Sequence, residues 1–430
     1  MVMRTRSWWL LAAVALGACA TEPRCKPIEH CDVREAACQA AALAQASCLR
    51  GRDEAQDPVQ VEVVSEQEYE DELLRELEAN PETEAETQVR RGLALFGLAQ
   101  EANDPAEEAR GQAAGLGGYF DPEDGRVVMI DHGVGLDGAG ITTTLVHEMV
   151  HALQHRAGDL GIAEDARTYD EDSASRALIE GEATIWTDEA TAEGWEVPFR
   201  DLDYAHSLRG YRGRSRSWIQ QKPSPIESAY AAFSYAFGAS YLWPLVQREG
   251  AAAVADAFAD PPRSSYAVLE ADPWRPEQRP NDLGESAVPE LRLMLVGTLH
   301  LGSFLFETFS NLWEPTIELE PWFPEEDEFV ADTFAVFTDE EGGVLASWRV
   351  RLSASQDAEA VAAEVAELNP DLRVGFEDQD IWLMAAENEA LIEALPEELS
   401  WVAAPEVDFP FGQETDERAR RRILCPLRTE

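Results

Sequence analysis

The sequence predicts an α+β protein that is mostly helical, and three observations indicate this class. Apolar residues recur at helical spacing in stretches such as 83–101, 141–155 and 173–190. Residues 115–133 change to a period of two around the turn sequence DPEDG, which is typical of a β-hairpin. After about residue 320 the elements follow the order β-β-α-β-α. We therefore expect a helical core with a hairpin and a small C-terminal α+β subdomain.

The N-terminus has the pattern of an export signal. Arg4 and Arg6 precede a short apolar run, and the string Leu16 to Cys19 resembles a bacterial lipobox. The resemblance implies removal of residues 1–18 and a lipid anchor on Cys19. Because Ala20 follows, it also implies the outer membrane or cell surface, with the periplasm as second choice. An ordinary cleaved signal with a chance cysteine is the alternative.

Four cysteines follow within a short segment: Cys25, Cys31, Cys38 and Cys48. In an exported chain an even group of this kind predicts two disulfides, for which three pairings are possible. A zinc cluster is the competing interpretation, although no C-x-x-C pair is present. Cys425 is then left over, either as a free thiol or as a link between the tail and this segment.

The rest of the chain divides by composition. We expect residues 19–60 to form the cysteine-containing segment and a linker, 61–312 the main domain, and 313–430 the C-terminal subdomain and tail. Within the main domain, 290–312 is expected to be a further apolar helix. Its most apolar part, 293–306, is too short to span a bilayer.

The chain has 430 residues and a net charge of −49, with 34 basic and 83 acidic residues. Such a charge repels nucleic acid and anionic membranes, so neither is an expected partner, and membrane association is expected only through the anchor at Cys19. A hydrophobic content of 45% argues against a disordered acidic chain. Arg209, Arg212, Arg214 and Arg216 form a basic patch that could bind an anionic group or merely offset neighbouring carboxylates.

The strongest motif is HEMVH at residues 147–151. On a helix, His147 and His151 lie four residues apart on one face, so both imidazoles can reach one metal ion. Glu148 is placed to take a proton from a zinc-bound water. The alternative is a pair of ordinary hydrogen-bonded histidines. His155 is about 12 Å from His147 along the helix and too far to share the ion.

A third ligand is expected from the helix at 173–190, which contains EGEAT. Together with HEMVH, this string resembles the gluzincin metallopeptidases, and in particular the aminopeptidase N family. The resemblance implies a gluzincin-like catalytic core in which Glu180 is the zinc ligand, with Glu182 less favoured because it points about 200° round the helix. It also places Thr184 behind the ligands, where a carboxylate is more usual.

The resemblance further implies an oxyanion donor, a tyrosine three residues before a glycine. Tyr235 and Gly238 fit this spacing. The surrounding aromatic residues could instead be ordinary core packing, and Tyr241 and His206 are reserves. By the same resemblance, residues 127–131 of the hairpin are candidates for contact with an extended substrate backbone, or they simply pack on the helix.

These expectations together describe an exported, lipid-anchored zinc metallopeptidase acting on a peptide or protein substrate. Zn²⁺ would be held by His147, His151 and Glu180, with Glu148 as general base and Tyr235 as oxyanion donor. Two alternatives remain open at this point: a catalytically silent surface lipoprotein that uses the fold for binding or envelope structure, and a zinc hydrolase of a non-peptide amide. The sequence does not indicate an oligomeric state.

Overall fold

The computed structural model describes residues 25–51, 57–269, 294–313, 329–388, 391 and 423–426, apart from positions 103, 195, 196, 198, 200, 201, 220, 223, 354 and 370 within those ranges. The predicted signal peptide and lipidation site lie outside the described residues. So does the last helix of the predicted β-β-α-β-α order, at residues 388–399, apart from positions 388 and 391. None of the helices in the described part of the chain is both long enough and apolar enough to cross a bilayer.

The described chain is α+β and mostly helical, as predicted. The helices are Ala36–Arg50 (α1), Glu66–Ala79 (α2), Glu84–Leu95 (α3), Pro105–Gly115 (α4), Ala139–Ala157 (α5), Gly161–Glu164 (α6), Tyr169–Gly194 (α7), Tyr204–Ile219 (α8), Pro225–Ala232 (α9), Gly238–Glu249 (α10), Ala252–Ala259 (α11), Ser265–Leu269 (α12), Gly302–Trp313 (α13) and Ser355–Leu368 (α14), with a π-helical turn at Phe233–Phe237. The strands are Gln60–Ser65 (β1), Leu116–Asp121 (β2), Arg126–Asp131 (β3), Met294–Leu299 (β4), Phe329–Thr338 (β5), Val344–Leu352 (β6), Arg373–Glu377 (β7), Asp380–Ala386 (β8) and Ile423–Pro426 (β9).

Two helices, α2 and α3, begin with a capping box. Ser65 and Thr83 each accept a hydrogen bond from the backbone N–H three residues later, and the glutamates Glu68 and Glu86 return the bond to the capping residue. These reciprocal bonds satisfy amide groups that have no partner within the helix. α3 ends at Leu95 rather than near residue 101. The chain turns there, and Phe96 is buried.

The predicted hairpin is confirmed, but its neighbours change its role. β2 and β3 pair antiparallel, while β1 pairs parallel with β3 along its whole length, from Gln60 opposite Arg126 to Ser65 opposite Asp131. The sheet order is β1-β3-β2-β9, so β3 is an interior strand. At residues 127–129 both edges of β3 are already paired, so the prediction that these residues contact an extended substrate backbone is wrong. Residues 130 and 131 pair with β1.

The C-terminal sheet has the order β4-β5-β6-β8-β7. The expected hairpin about the Gly342–Gly343 turn is β5 and β6, and residues 373–386 form the strand pair β7 and β8. The prediction that 290–312 is one helix is wrong in its first half, because β4 pairs antiparallel with β5 and the helix begins only at Gly302. A short apolar run does not distinguish a buried strand from a buried helix.

An aromatic cluster joins this sheet to the helical part of the molecule. Phe96, which follows α3, lies 5.3 Å from Phe334 of β5 and 6.1 Å from Trp348 of β6 between ring centroids. All three side chains are fully buried. Offset and edge-on aromatic contacts of this kind add to the free energy of burial. The main apolar cluster therefore continues from the helices around α5 and α7 into the C-terminal sheet.

The two predicted disulfides are present. Cys25 pairs with Cys48 and Cys31 pairs with Cys38, with Cα–Cα separations of 5.7 and 5.6 Å. The four cysteines thus pair with one another, so the alternative of a link from Cys425 to this segment is wrong. The bridges hold the N-terminal segment against α1, and α1 packs on α5 and α7.

A buried carboxylate at the start of α7 makes stability depend on pH. Asp170 is fully buried and accepts hydrogen bonds from the backbone N–H and hydroxyl of Ser265. Burial raises the pKa of Asp170 to about 7, with Asp332 adding to the effect and Ser265 opposing it. The folded chain therefore holds this proton at pH values where the unfolded chain has released it, and stability falls as pH rises between about 4 and 7.

We expect Asp170→Asn to remove this dependence. Between pH 4 and pH 7.5 the wild type should lose about 4 kcal/mol of unfolding free energy relative to the variant. This follows because one pKa unit corresponds to about 1.4 kcal/mol. Denaturant unfolding of both proteins at several pH values measures the shift. A difference that stays constant across this range would show that Asp170 is ionised in the folded protein at low pH.

Candidate metal centre

The HEMVH segment lies within α5, as predicted, and its histidines face the molecule's interior. His147 and His151 are 2% and 0% exposed, and their ring centroids are 4.7 Å apart. The flanking apolar residues Leu145, Val146 and Met149 are fully buried, so both faces of the segment pack into the core. Two imidazoles are therefore held side by side away from bulk water.

The long helix α7 crosses α5 and brings Glu180 to the histidine pair. One carboxylate oxygen, Oε2, lies 3.1 Å from Nε2 of His147 and 3.4 Å from Nε2 of His151. Each of the three residues offers a ligand atom within 4.8 Å of the others, and all three residues are buried. The three expected metal ligands thus converge, although 33 positions separate His147 from Glu180.

The separations fit a tetrahedral metal ion. Donor atoms placed about 2.0–2.1 Å from a tetrahedral zinc are about 3.3 Å from one another. The two Nε2-to-Oε2 distances of 3.1 and 3.4 Å lie on either side of this value. All three ligand atoms lie within 4.8 Å of one another, so the cluster has the donor set and the approximate spacing of a metal site.

The hydrogen bonds of His151 also suit a metal ligand. The amide nitrogen of Gln154 donates to the carbonyl of Ile179 and to Glu182, which fixes the amide so that its oxygen faces Nδ1 of His151 at 2.7 Å. Nδ1 must then donate the proton, and in the neutral ring Nε2 presents a lone pair towards Glu180. A lone pair facing a carboxylate is unfavourable unless a positive charge lies between them.

Electrostatics favour the same conclusion. Burial alone would raise the pKa of Glu180, but His151 and His147 outweigh it and lower the pKa to about 2. Burial alone would lower the pKa of His151, but the carboxylates of Glu180 and Glu148 outweigh it and raise the pKa. The carboxylate is thus anionic, and the cluster stabilises positive charge beside it.

Glu148, the expected general base, is completely buried on α5. Its carboxylate is close enough to raise the pKa of His151, so it lies near the histidine pair. Glu148 does not belong to the group of converging ligand atoms, which is consistent with a carboxylate beside the ligands rather than among them.

Tyr235 lies against the cluster. Its ring centroid is 5.9 Å from that of His147 with an interplanar angle of 28°, and its side chain is buried. Of the two reserves, His206 is exposed on α8, and no ring contact within the described chain joins Tyr241 to the histidines. Among the three candidates Tyr235 is therefore the one placed beside the predicted ligands.

Two glycines bring Tyr235 to this position. A Cβ on Gly238 would lie 1.8 Å from the carbonyl oxygen of Ala177, and a Cβ on Gly181 would lie 2.3 Å from the carbonyl carbon of Gly238. The start of α10, directly after the π-helical turn, therefore touches the backbone of α7 at Ala177 and at Gly181, on either side of Glu180. Only glycine permits so close a crossing.

We expect Gly238→Ala to destabilise the fold by roughly 3 kcal/mol, because the new methyl group must push α10 away from α7. Denaturant unfolding measures the loss. Gly111→Ala is the matched control, since nothing lies within 4 Å of the added Cβ on α4. That control should gain up to about 1 kcal/mol from helix propensity. Equal effects of the two substitutions would refute the close crossing.

The residues behind the ligands differ in part from the expectation. Thr184 was expected to support the site, but its buried hydroxyl has no hydrogen-bond partner among the described residues. Instead, the hydroxyl of Thr187 lies 3.4 Å from Nδ1 of His147, and Gln154 accepts from His151. Glu182 turns away from the cluster, as predicted, and His155 is exposed against the ring of Phe120.

A small cleft lies one helical turn from His147. Its walls include Thr143 and Val146 of α5 and Thr191 of α7. Ile28 and His30 of the disulfide-bonded segment complete one side. The N-terminal cysteine segment therefore borders the region next to the candidate metal centre.

Sequence reasoning missed three supporting residues. Gln154 follows His151 by three positions on the same helix, so helical spacing was a usable signal for it. Thr187 follows Glu180 by seven positions, which also places it on the same face of α7. Arg50, which contacts Glu182, lies 132 positions away in α1, and no pattern in the sequence indicates this contact.

Comparison of the chain with models of known protein families, with curated proteins and with solved structures finds no match. The assignment of a function therefore rests on the geometry of the site and on the motif.

Proposed function

We propose that this protein is a zinc-dependent peptide hydrolase with a gluzincin-type site. The observation that supports the proposal most strongly is the convergence of His147, His151 and Glu180, in which one carboxylate oxygen lies 3.1 and 3.4 Å from the two Nε2 atoms. Two imidazoles and one carboxylate are a donor set that zinc accepts in catalytic sites, where the fourth position is left to water or substrate. Copper or another divalent ion binds the same ligands, and cellular supply selects among them.

Zinc, when bound here, would polarise a substrate carbonyl and lower the pKa of a water molecule. Glu148 then acts as general base: it removes a proton from the attacking water and passes it to the leaving amine nitrogen as the C–N bond breaks. The phenol of Tyr235 donates a hydrogen bond to the oxygen that becomes negatively charged. Gln154 and Thr187 hold the two imidazole rings in orientation through their Nδ1 atoms.

The proposal includes export. Two disulfides in the described chain are consistent with an oxidising compartment. The proposed mature protein is held at the outer membrane or cell surface by a lipid on Cys19, and it acts there on peptides or proteins.

A second candidate is favoured by the depth of the site. Glu148 and His151 are both 0% exposed, which suits a structural metal site in a binding or envelope-structural lipoprotein. A binding protein has no need of a general base next to its metal, and this argues for the hydrolase. The two candidates differ in whether the zinc-loaded protein cleaves peptides.

Chelation provides the test. We expect the purified protein to cleave casein or members of a peptide library, to lose this activity with a zinc chelator, and to regain it when zinc is restored. Activity is followed by the release of new amino termini. Zinc-loaded protein that cleaves no peptide would support the binding protein, whereas cleavage that survives complete zinc removal would refute the metal-dependent mechanism.

A further inference from the structure

A buried ion pair lies behind the candidate metal centre. Arg50, at the end of α1, has a fully buried side chain that donates to both carboxylate oxygens of Glu182, from Nε at 3.0 Å and from Nη2 at 3.2 Å. Nη2 also donates to Asp159 at 2.7 Å. This forked arrangement holds the Glu182 carboxylate in one orientation.

The same carboxylate holds the amide of Gln154. Glu182 accepts from the Gln154 side-chain nitrogen at 2.9 Å and from the indole of Trp186 at 3.1 Å. The Gln154 oxygen in turn accepts from Nδ1 of His151 at 2.7 Å. A continuous chain of hydrogen bonds therefore runs from the guanidinium of Arg50 to a ring that faces the metal site.

We propose that Arg50 is a positioning residue for the metal centre and that α1, with its disulfide-bonded segment, is part of that centre. The inference rests on the proposed function in that it takes His151 to be a zinc ligand. Arg50 fixes Glu182, Glu182 fixes the amide of Gln154, and the amide sets the tautomer and orientation of His151. We name this chain of hydrogen bonds the Arg50 relay.

Charge explains why the relay needs an ion pair. A neutral amide can rotate by 180° and exchange its oxygen for its nitrogen, which would present a donor to Nδ1 of His151. The anionic oxygen of Glu182 prevents this rotation, because it attracts the amide nitrogen more strongly than the amide oxygen. Arg50 in turn holds that oxygen in place, because it donates to both carboxylate oxygens of Glu182.

The location of Arg50 gives the relay a structural origin. Arg50 is two residues from Cys48, whose disulfide to Cys25 ties the end of α1 to the preceding segment. Gly51 then ends the helix in a left-handed conformation with φ of 62°. The guanidinium is thus delivered to α7 from a helix end whose position is set by a covalent link.

A role of the Arg50–Glu182 pair in stability alone and a role in positioning His151 predict different results for a double variant. Replacement of both partners, Arg50→Met with Glu182→Met, removes the two fully buried charges together, so the unfolding midpoint should stay close to that of the wild type. Asp159 loses its contact with Arg50, but its side chain is 12% exposed and reaches water. If the Arg50–Glu182 pair only stabilises the fold, the double variant should bind zinc as tightly as the wild type. If the pair orients Gln154, zinc affinity stays low in a protein that is stably folded.

The experiment measures zinc dissociation constants by competition with a chromophoric chelator, and unfolding midpoints in parallel. We expect Gln154→Leu, which leaves the Arg50–Glu182 pair intact, and the double Met variant each to bind zinc 10 to 100-fold more weakly than the wild type. Trp348→Phe is the control for lost stability away from the site, since its indole donates to Asp332 in the C-terminal sheet. Its zinc affinity should equal that of the wild type.

The outcomes separate the relay from the proposed function. If the wild type takes up no zinc, the proposed function is refuted and the relay with it. If the wild type binds zinc and a folded double Met variant binds it equally tightly, only the relay is refuted. A second readout is the visible spectrum of the cobalt-substituted protein, which should change in Gln154→Leu but not in Trp348→Phe, because it reports ligand geometry.

Discussion

Glu148→Gln is expected to lower kcat for peptide hydrolysis on the order of 10³-fold, within the range by which general bases accelerate reactions. The amide has nearly the same shape as the carboxylate but cannot accept the proton of the attacking water. Because Glu148 is not one of the converging ligands, zinc should remain bound at wild-type stoichiometry. Steady-state kinetics together with metal analysis of the same sample measure both quantities.

The matched control is Glu164→Gln, which makes the same chemical change at an exposed position of α6. That variant should keep wild-type kcat and zinc content. If Glu148→Gln were as active as the wild type with zinc bound, the buried carboxylate would have no part in proton transfer. Loss of zinc from Glu148→Gln would instead show that the carboxylate contributes to binding the ion.

Glu180→Ala is expected to remove most of the stabilisation that zinc gives to the fold. A ligand at 100 times its dissociation constant stabilises the folded state by about 2.7 kcal/mol. If loss of the carboxylate weakens binding about 100-fold, the same free zinc concentration contributes only about 0.4 kcal/mol. Denaturant unfolding at buffered free zinc, with and without the metal, measures the difference.

Thr184→Ala is the control on the same helix, one turn from Glu180. Its hydroxyl has no hydrogen-bond partner among the described residues, so its removal should leave the zinc-dependent stabilisation unchanged. A zinc-dependent gain in Glu180→Ala equal to that of the wild type would mean that another group supplies the third ligand, and Glu180 would then be a hydrogen-bond acceptor for the histidines.

Local patterns predicted the parts of the site that lie on single helices. The four-residue spacing of His147 and His151 is sufficient to place both rings on one face, and α5 confirms it. The capping box at Thr83 is a signal of the same local kind, because it depends on residues three positions apart. Convergence of Glu180 with the histidines was predicted only from resemblance, because helix crossing is a tertiary property.

Long-range pairing explains what the sequence did not reveal. β1 begins where the expected linker ends, and its identity as a strand depends on β3, more than 60 positions later. Together with β2, that pairing also leaves residues 127–129 without a free edge for substrate. The contact between Arg50 and Glu182 is of the same kind, since a buried arginine differs from an exposed one only through its partners.

The central claim is that two imidazoles and the Glu180 carboxylate bind one zinc ion. X-ray absorption spectroscopy of the purified, zinc-loaded wild type tests it most directly. We predict about one zinc per chain, with a first shell of nitrogen and oxygen at about 2.0–2.1 Å and outer-shell scattering from two imidazole rings. A folded protein that retains no zinc, or a first shell that contains sulfur at about 2.3 Å, would contradict the account.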